Sequence, residues 1–206
     1  MKKKITVTYE ASEPTLAAKA EQLKGAHEPF IFHTGIPFAH KNLERLVMAF
    51  EVLKQSNPKL QLVLAGKKER YFEKFEEWVK ESPVRDSILI PGFVSDAELK
   101  WLFQNAEAYV LPALSEGFGL LGLEAMAHGC PVVSSNTTCL PEVYGEAAHY
   151  FDPNNLEDIA AKTGEVIKDR ALRKKLIHNG YVQLKKYSWQ HMAEQTLEVY
   201  KNVLQK

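Results

Sequence analysis

Two glutamates frame the segment of this chain whose residue types best suit chemistry. Glu116 and Glu124 stand eight positions apart in SEGFGLLGLEAMAHGCPVV, residues 115–133, with three glycines between them. Because charged acceptors form the stronger hydrogen bonds, two carboxylates suit a ligand that carries pairs of hydroxyls. The glycines also spell G-x-G-x-x-G, a fingerprint of dinucleotide-binding turns. Two interpretations follow, a dinucleotide site and a site for a phosphorylated sugar.

The dinucleotide interpretation lacks one of its requirements. It needs a strand before the glycines, a helix after them and an acidic residue roughly 20 positions further on. The strand after this helix, PVVSS, runs into Asn136 and offers no carboxylate. The fingerprint also follows the fourth predicted strand, whereas it usually occupies the first strand–helix unit. A NAD-binding oxidoreductase domain is therefore the weaker alternative.

The sugar-phosphate interpretation depends on the start of a helix. We predict that this helix begins near Leu120, because Gly117 and Gly119 suit a tight turn better than a helix interior. The first N–H groups of a helix lack partners and carry the positive end of its dipole, and glycines let a phosphate approach them. Glu116 then precedes the anion site, and Glu124 follows it in the second turn. This order suits a nucleoside diphosphate sugar, which has hydroxyls on both sides of its diphosphate.

The elements that must position these residues alternate along the chain from about residue 30. This alternation predicts an α/β domain with one doubly wound, Rossmann-like parallel sheet and helices on both faces. Ser95 and Glu98 match a capping box, so a helix is expected to begin there. After Pro141 we expect only helices, ending in a helical tail with Ser188 as its cap. Five strands are predicted, in PFIFHTG, LQLVLAG, SILIPG, AYVLPAL and PVVSS.

The chain divides into three predicted parts. Residues 1–28, with the strand-like piece ITVTY and a polar helix-like stretch, are interpreted as an interdomain segment. Residues 29–187 form the predicted nucleotide-sugar-binding domain, and residues 188–206 a C-terminal amphipathic helix. One side of that helix is expected to leave an exposed apolar strip. The strip consists of Trp189, Met192, Ala193, Thr196, Leu197, Tyr200 and Val203.

Composition indicates an ordinary globular protein. The 206 residues are 45% hydrophobic, and 26 basic residues balance 26 acidic ones, so we expect no nucleic-acid partner. No apolar run approaches the length of a membrane span, and no signal-like segment is found, so a cytoplasmic location is expected. Cys130 and Cys139 have no redox or metal-type spacing, and both are expected to be reduced.

The two glutamates with G-F-G between them resemble the donor-binding signature of retaining GT-B glycosyltransferases of family 4, or glycosyl transferases group 1. The resemblance covers roughly residues 30 to 204. It implies a fold of two Rossmann-like domains, of which this chain corresponds to the C-terminal, donor-binding half. An N-terminal acceptor domain would then be supplied in cis or by a partner chain. The other matching strings are HKNLERLVMAF, LQLVLAG, IPGFVSDAELKWLF, LPEVYGEAAHYFDP and YSWQHMAEQTLEVYKNVL.

The resemblance also implies roles for individual residues. Glu124 would bind the ribose, Glu116 the transferred sugar, and Lys41 the departing diphosphate. Lys41 and Glu116 are therefore the predicted catalytic residues. Without the resemblance, Glu124 is explained by helix-start electrostatics, and Phe118 and Phe93 by core packing. The remaining predicted donor-binding residues are Gly35, Phe93, Val94, Gly117, Phe118, Gly119 and Leu120.

One loop departs from the family pattern. Many relatives have arginine directly after the strand glycine, but here Ile36 follows Gly35. His40, Lys67 and Lys68 are the candidates to replace that cation. No D-x-D pair and no metal-type histidine spacing occurs in the sequence, so a metal-independent site without a cofactor is predicted.

The implied activity is transfer of a hexose, with retention, from a nucleoside diphosphate sugar to an acceptor hydroxyl. Mannose from a GDP sugar is favoured, and UDP sugars come next. The chain by itself is expected to be weakly active or inactive, and the full enzyme is expected to contact a membrane peripherally. A non-catalytic nucleotide-sugar-binding module is the second alternative, beside the NAD-binding domain.

Overall fold

A six-stranded parallel sheet forms the centre of the computed structural model, which describes residues 5–12, 17–67 and 70–204. The strand order is β3-β2-β1-β4-β5-β6, and every pairing is parallel. This is a doubly wound order, with its switch point between β1 and β4. The strands are β1 (Phe30–Thr34), β2 (Gln61–Ala65), β3 (Ile88–Gly92), β4 (Ala108–Leu111), β5 (Val132–Ser135) and β6 (Ala148–Phe151).

Helices cover both faces of the sheet, which confirms the predicted fold class. Successive strand residues point to opposite faces, so Phe30 and Phe32 lie in one buried cluster and Ile31 in the other. Burial on both faces explains why the strands are apolar throughout. The helices are α1 (Leu43–Ser56), α2 (Arg70–Val79), α3 (Asp96–Asn105), α4 (Leu120–Ala127), α5 (Leu140–Tyr144), α6 (Leu156–Lys168), α7 (Arg170–Leu184) and α8 (Trp189–Leu204).

Both predicted helix caps are present. The Ser95 side chain accepts from the Glu98 backbone N–H, and the Glu98 carboxylate accepts from the Ser95 backbone N–H, so α3 begins with a capping box. The Ser188 hydroxyl accepts from the His191 backbone N–H at 3.3 Å and caps α8. Local hydrogen bonding thus fixes both helix starts, as the sequence indicates.

The prediction of five strands is wrong, because Ala148–Phe151 adds β6 at the edge of the sheet. This strand has only four residues, and His149 and Tyr150 are half-buried, so no long apolar run marks it. Its pairing with β5, from Val132 to Ser135, stabilises it. A short edge strand of this kind depends on its neighbour more than on its own sequence.

The first segment also differs from its prediction. Ile5–Tyr9 pairs with no strand, and residues 17–28 contain no helix; residues 1–4 and 13–16 lie outside the described ranges. Ile5 and Val7 are 81% and 62% exposed. Their β-branched side chains favour a strand, but this segment has no neighbouring strand to pair with among the described residues. Leu23 and Ala26, by contrast, are buried in the cluster that contains Phe30.

The C-terminal helix leaves its apolar side exposed, as the sequence predicts. Leu197, Tyr200 and Val203 are 52%, 62% and 65% exposed, and no residue of α8 is buried. Among the described residues, no helix has the length and apolar character that a bilayer span requires. Residues 205 and 206 of the predicted helical part lie outside the described ranges.

Candidate functional site

The two residues predicted to be catalytic meet at the carboxyl edge of the sheet. Lys41 closes a short 3-10 turn after β1, and Glu116 lies in the loop after β4. β1 and β4 are neighbours at the switch point, where open α/β sheets bind ligands. The Lys41 Nζ atom is 2.6 Å from Glu116 Oε1, and the side chains are only 20% and 13% exposed. Removing one partner of a charge pair this shielded lowers the stability of the protein, because the other charge is left without its counter-charge.

A pocket of about 280 Å³ opens beside this ion pair. It brings together five predicted site residues and adds three that were not predicted, Glu10, Leu111 and Leu121. Glu10 follows the strand-like piece ITVTY in the predicted interdomain segment, and nothing in its local pattern marks it as a site residue. The predicted residues that line the pocket are Lys41, Glu116, Phe118, Gly119 and Leu120.

The N-terminus of α4 faces this pocket, as predicted. The helix begins at Leu120, directly after Gly119, whose φ of 93° places it in the left-handed region. Within the described part of the chain, no side chain caps this helix end. Because the first N–H groups of a helix have no partner within it, those of Leu120 and Leu121 are available at the pocket that both residues line. The arrangement suits an anion.

The three glycines of GFGLLG serve different purposes. A Cβ atom at Gly117 would have nothing within 4 Å, so this position is open to an approaching ligand. A Cβ atom at Gly119 or Gly122 would instead collide with the Tyr144 hydroxyl. Two glycines of the apparent dinucleotide fingerprint are therefore explained by an internal contact. The sequence analysis missed Tyr144, although glycines three apart at a helix start indicate a close neighbour.

Glu124 lies apart from the Lys41 pocket, in the second turn of α4. Its side chain is half-buried, and its carboxylate has no hydrogen-bond or ion-pair partner among the described residues. Burial raises the pKa of this carboxyl above its ordinary value, and the Asp96 carboxylate at the start of α3 raises it further. A half-buried acceptor without a donor is chemically suited to ligand hydroxyls.

Phe93 and Val94 have opposite environments. Phe93 is 76% exposed, whereas Val94 is buried in the cluster that contains Leu102 and Phe103. Packing thus explains Val94, and it leaves the Phe93 ring available at the same edge of the sheet. Neither residue lines the pocket beside Lys41. Gly35 and Gly117 also lie outside its lining.

Phe118 combines both of its predicted interpretations, since it lines the pocket and packs against aromatic neighbours. Its ring centroid lies 6.1 Å from that of Tyr9 and 5.6 Å from that of Tyr187. The Tyr9 hydroxyl in turn donates a hydrogen bond to Glu142. Residues 5–12 are thereby attached to the loop that carries Glu116.

His33 is a buried polar residue near the carboxyl end of β1. It is fully buried, and its Nδ1 atom lies 2.9 Å from the Val110 carbonyl oxygen. Because a carbonyl only accepts, we assign the proton to Nδ1, which leaves Nε2 as an acceptor with no partner among the described residues. Burial lowers the pKa of His33 to about 4, with a smaller contribution from the Lys41 charge. The ring is therefore neutral near pH 7.

No second cation joins Lys41 in the pocket lining, as far as the described ranges extend. His40 stacks on Phe38, with ring centroids 5.8 Å apart, and Lys68 lies outside the described residues. Ile36 is thus not compensated by His40 within the pocket. Within the same ranges, no three His, Cys, Asp or Glu side chains are grouped as metal ligands.

The geometry agrees with the sequence family. Residues 16–183 match the family described as Glycosyl transferases group 1. This chain belongs to that family. It is 33% identical over 177 residues to the O-antigen chain mannosyltransferase B of Escherichia coli, covering 85% of this chain and 46% of that protein. The chain thus spans about half the length of this curated relative.

Two solved structures show the same fold. Sucrose-phosphate synthase from Thermosynechococcus elongatus is 25% identical with a TM-score of 0.76, over 86% of this chain and 46% of that one. The crystal structure of the C-terminal domain of a glycosyl transferase group 1 family protein from Francisella tularensis has a TM-score of 0.68 and 24% identity. That match covers 87% of this chain and 95% of the other. The group 1 glycosyltransferase fold therefore includes a unit of this size.

Proposed function

We propose that this chain is the donor-binding half of a glycosyltransferase that transfers a hexose from a nucleoside diphosphate sugar to an acceptor hydroxyl. The observation that carries the proposal is the Lys41–Glu116 pair, 2.6 Å apart beside the uncapped start of α4. A cation and unpaired backbone donors suit a diphosphate, and a carboxylate beside them suits sugar hydroxyls.

The donor would lie across the carboxyl edge of the sheet. Its diphosphate would accept hydrogen bonds from the first amides of α4 and from Lys41. Glu116 would bind the hexose and Glu124 the ribose. The exposed ring of Phe93 would then contact the nucleobase. This placement uses both carboxylates as acceptors and neither as a nucleophile.

Donor binding would replace the ion pair. In the free chain, Lys41 and Glu116 neutralise each other. A bound donor offers phosphate oxygens to the lysine and hydroxyls to the glutamate, so each charge exchanges one partner for another. A free nucleoside diphosphate supplies only the first of these partners. The site therefore favours an intact donor over a free nucleoside diphosphate.

The reaction would be assisted at the leaving group. The bond from the anomeric carbon to the diphosphate oxygen breaks, and the acceptor oxygen forms the new bond to that carbon. The proton of the acceptor hydroxyl passes to the released diphosphate. Negative charge develops on the diphosphate, where the helix dipole and Lys41 are already in place. Retention at the anomeric carbon and independence from metal ions are parts of this proposal.

Mannose is the proposed hexose, with a GDP sugar as the donor. Two relatives support this choice, the Escherichia coli mannosyltransferase and the MMP alpha-(1->4)-mannosyltransferase of Mycolicibacterium hassiacum, which is 34% identical over 133 residues. A UDP sugar is the second choice. We also propose a cytoplasmic enzyme with an N-terminal acceptor domain, supplied in cis or in trans, and peripheral membrane contact.

Saturation-transfer NMR of the chain with GDP-mannose, UDP-glucose and NAD tests the proposal. We expect transfer to the ribose and hexose protons of GDP-mannose, reduced in Lys41→Ala and kept in Lys74→Ala, a lysine outside the pocket. Transfer to NAD alone would contradict the proposal.

A further inference from the structure

Tyr144 connects α5 to the turn at which α4 begins. The side chain is fully buried, and its hydroxyl donates to the Gly119 carbonyl with an oxygen–oxygen distance of 2.5 Å. The Gly122 N–H donates to the same carbonyl at 3.1 Å. One carbonyl thus receives both the first bond inside the helix and the bond from α5.

The Tyr144 hydroxyl fits because Gly119 and Gly122 have no side chains. Side chains at either Gly119 or Gly122 would displace it, and Gly119 has the left-handed φ that non-glycine residues rarely adopt. Burial raises the pKa of Tyr144 well above its ordinary value, so the hydroxyl remains a donor at ordinary pH. The hydroxyl therefore keeps the proton with which it bonds the turn at ordinary pH.

The hydrogen bond from Tyr144 holds the turn that lines the pocket. Gly119 and Leu120 line the pocket, and Leu120 is the first residue of the helix whose amides face it. If the Gly119 carbonyl lost the hydroxyl, it would keep only the bond from within α4. The turn could then rotate relative to Lys41 without disturbing the sheet.

We propose that Tyr144 is a positioning residue that aims the first amides of α4 at the diphosphate, a role that rests on the proposed function. Tyr144 does not touch the ligand itself. Its hydroxyl sets the orientation of the donors that do, and its ring fills the space between α5 and α4.

Tyr144→Phe tests this role, because it removes the hydroxyl and keeps the ring. Tyr150→Phe is the matched control, since the Tyr150 hydroxyl donates to the Gly145 carbonyl at 2.7 Å and Tyr150 does not line the pocket. We expect Tyr144→Phe to bind GDP or UDP about 10-fold more weakly than wild type, with a Tm close to that of the control. We expect Tyr150→Phe to bind as the wild type does.

Hydrogen exchange gives a second measurement that requires no ligand. Faster exchange of the Gly122 amide, which donates to the Gly119 carbonyl, in Tyr144→Phe alone would support the positioning role, and unchanged exchange would overturn it. Unfolding of Tyr144→Phe beside a folded control would also overturn it, because the hydroxyl would then determine global stability. If Tyr144→Phe binds GDP and UDP with the same affinities as the wild type, only the positioning role is overturned. Binding of neither by the wild type would overturn the proposed function itself.

Discussion

Glu116 and Glu124 belong to one short motif, yet their surroundings are opposite. Glu116 is paired with Lys41 at 2.6 Å and lines the pocket. Glu124 has no partner among the described residues, and burial together with Asp96 raises its pKa. The first carboxylate thus has a counter-charge at hydrogen-bond distance, whereas the second is partly deprived of water and of counter-charge.

This difference separates two tasks. The Glu116 end, with Lys41, is suited to a group whose charge changes during a reaction, because its own charges are already arranged. The Glu124 end is suited to neutral hydroxyls, since they supply the donors that the carboxylate lacks. Under the proposed function, the glutamate in the loop before α4 and the glutamate in its second turn would therefore bind different parts of one donor.

The largest expected effect concerns His33, beneath the Lys41 end. Its folded pKa of about 4 lies below the ordinary 6.5, so the unfolded chain binds the proton more tightly. This contribution to stability is complete above about pH 6.5 and is lost as the pH falls toward 4. The loss amounts to about 3 kcal/mol. Urea unfolding at pH 7 and pH 4 should show a loss larger by this amount in wild type than in His33→Asn.

His178→Asn is the control for this measurement, because His178 is exposed on α7. It should keep the pH dependence of the wild type. An identical pH dependence in His33→Asn and wild type would contradict the neutral buried assignment of His33.

Lys41→Ala has the next largest expected effect, at the charged end. Loss of a charged donor and exposure of Glu116 to the diphosphate should weaken GDP binding about 30-fold, equivalent to about 2 kcal/mol. Calorimetric titration measures this change, with Lys74→Ala as the control for lost positive charge. Equal GDP affinities of Lys41→Ala and Lys74→Ala would show that Lys41 has no specific role in binding the diphosphate.

Glu124→Gln should act on the ribose alone. We expect about 10-fold weaker GDP binding, or about 1.4 kcal/mol, because a neutral amide replaces a charged acceptor of two hydroxyls. Inorganic pyrophosphate, which has no ribose, should bind equally to wild type and variant. In wild type, GDP affinity should also decrease as the pH falls through the raised pKa of Glu124. Weaker pyrophosphate binding in the variant would show that Glu124 acts on the anion.

Glu116→Gln has the smallest expected effect and the opposite sign. Without its carboxylate partner, Lys41 is free for phosphate, so free GDP should bind about 3-fold more tightly, a gain of less than 1 kcal/mol. GDP-mannose should gain less, because it also loses the charged acceptor for its hexose. Calorimetry with both ligands gives the ratio, and a loss of GDP affinity would show that the ion pair does not compete with the donor.

The sequence predicted the elements that local patterns determine. The apolar strands, the capping box at Ser95 and the start of α4 at Leu120 all depend on residues within one short segment. Lys41 and Glu116, 75 positions apart, were assigned to one donor site only through the family resemblance, and their contact is explained by β1 and β4 ending at the same edge of the sheet.

Other features depend on tertiary contacts that no local pattern records. Tyr144 lies below Gly119 because α5 packs against α4, and Glu10 reaches the pocket through an irregular segment. β6 exists because β5 pairs with it. His33 was visible as a strand residue, but its burial and its lowered pKa became evident only with the sheet assembled.

The most direct test of a donor site at Lys41 and α4 is calorimetric titration of the chain with GDP, UDP and NAD, beside Lys41→Ala. We predict that GDP or UDP binds at least 10-fold more tightly than NAD and that Lys41→Ala weakens this binding about 30-fold. Binding of NAD as tight as that of either nucleoside diphosphate, or binding of GDP and UDP unchanged in Lys41→Ala, would contradict it.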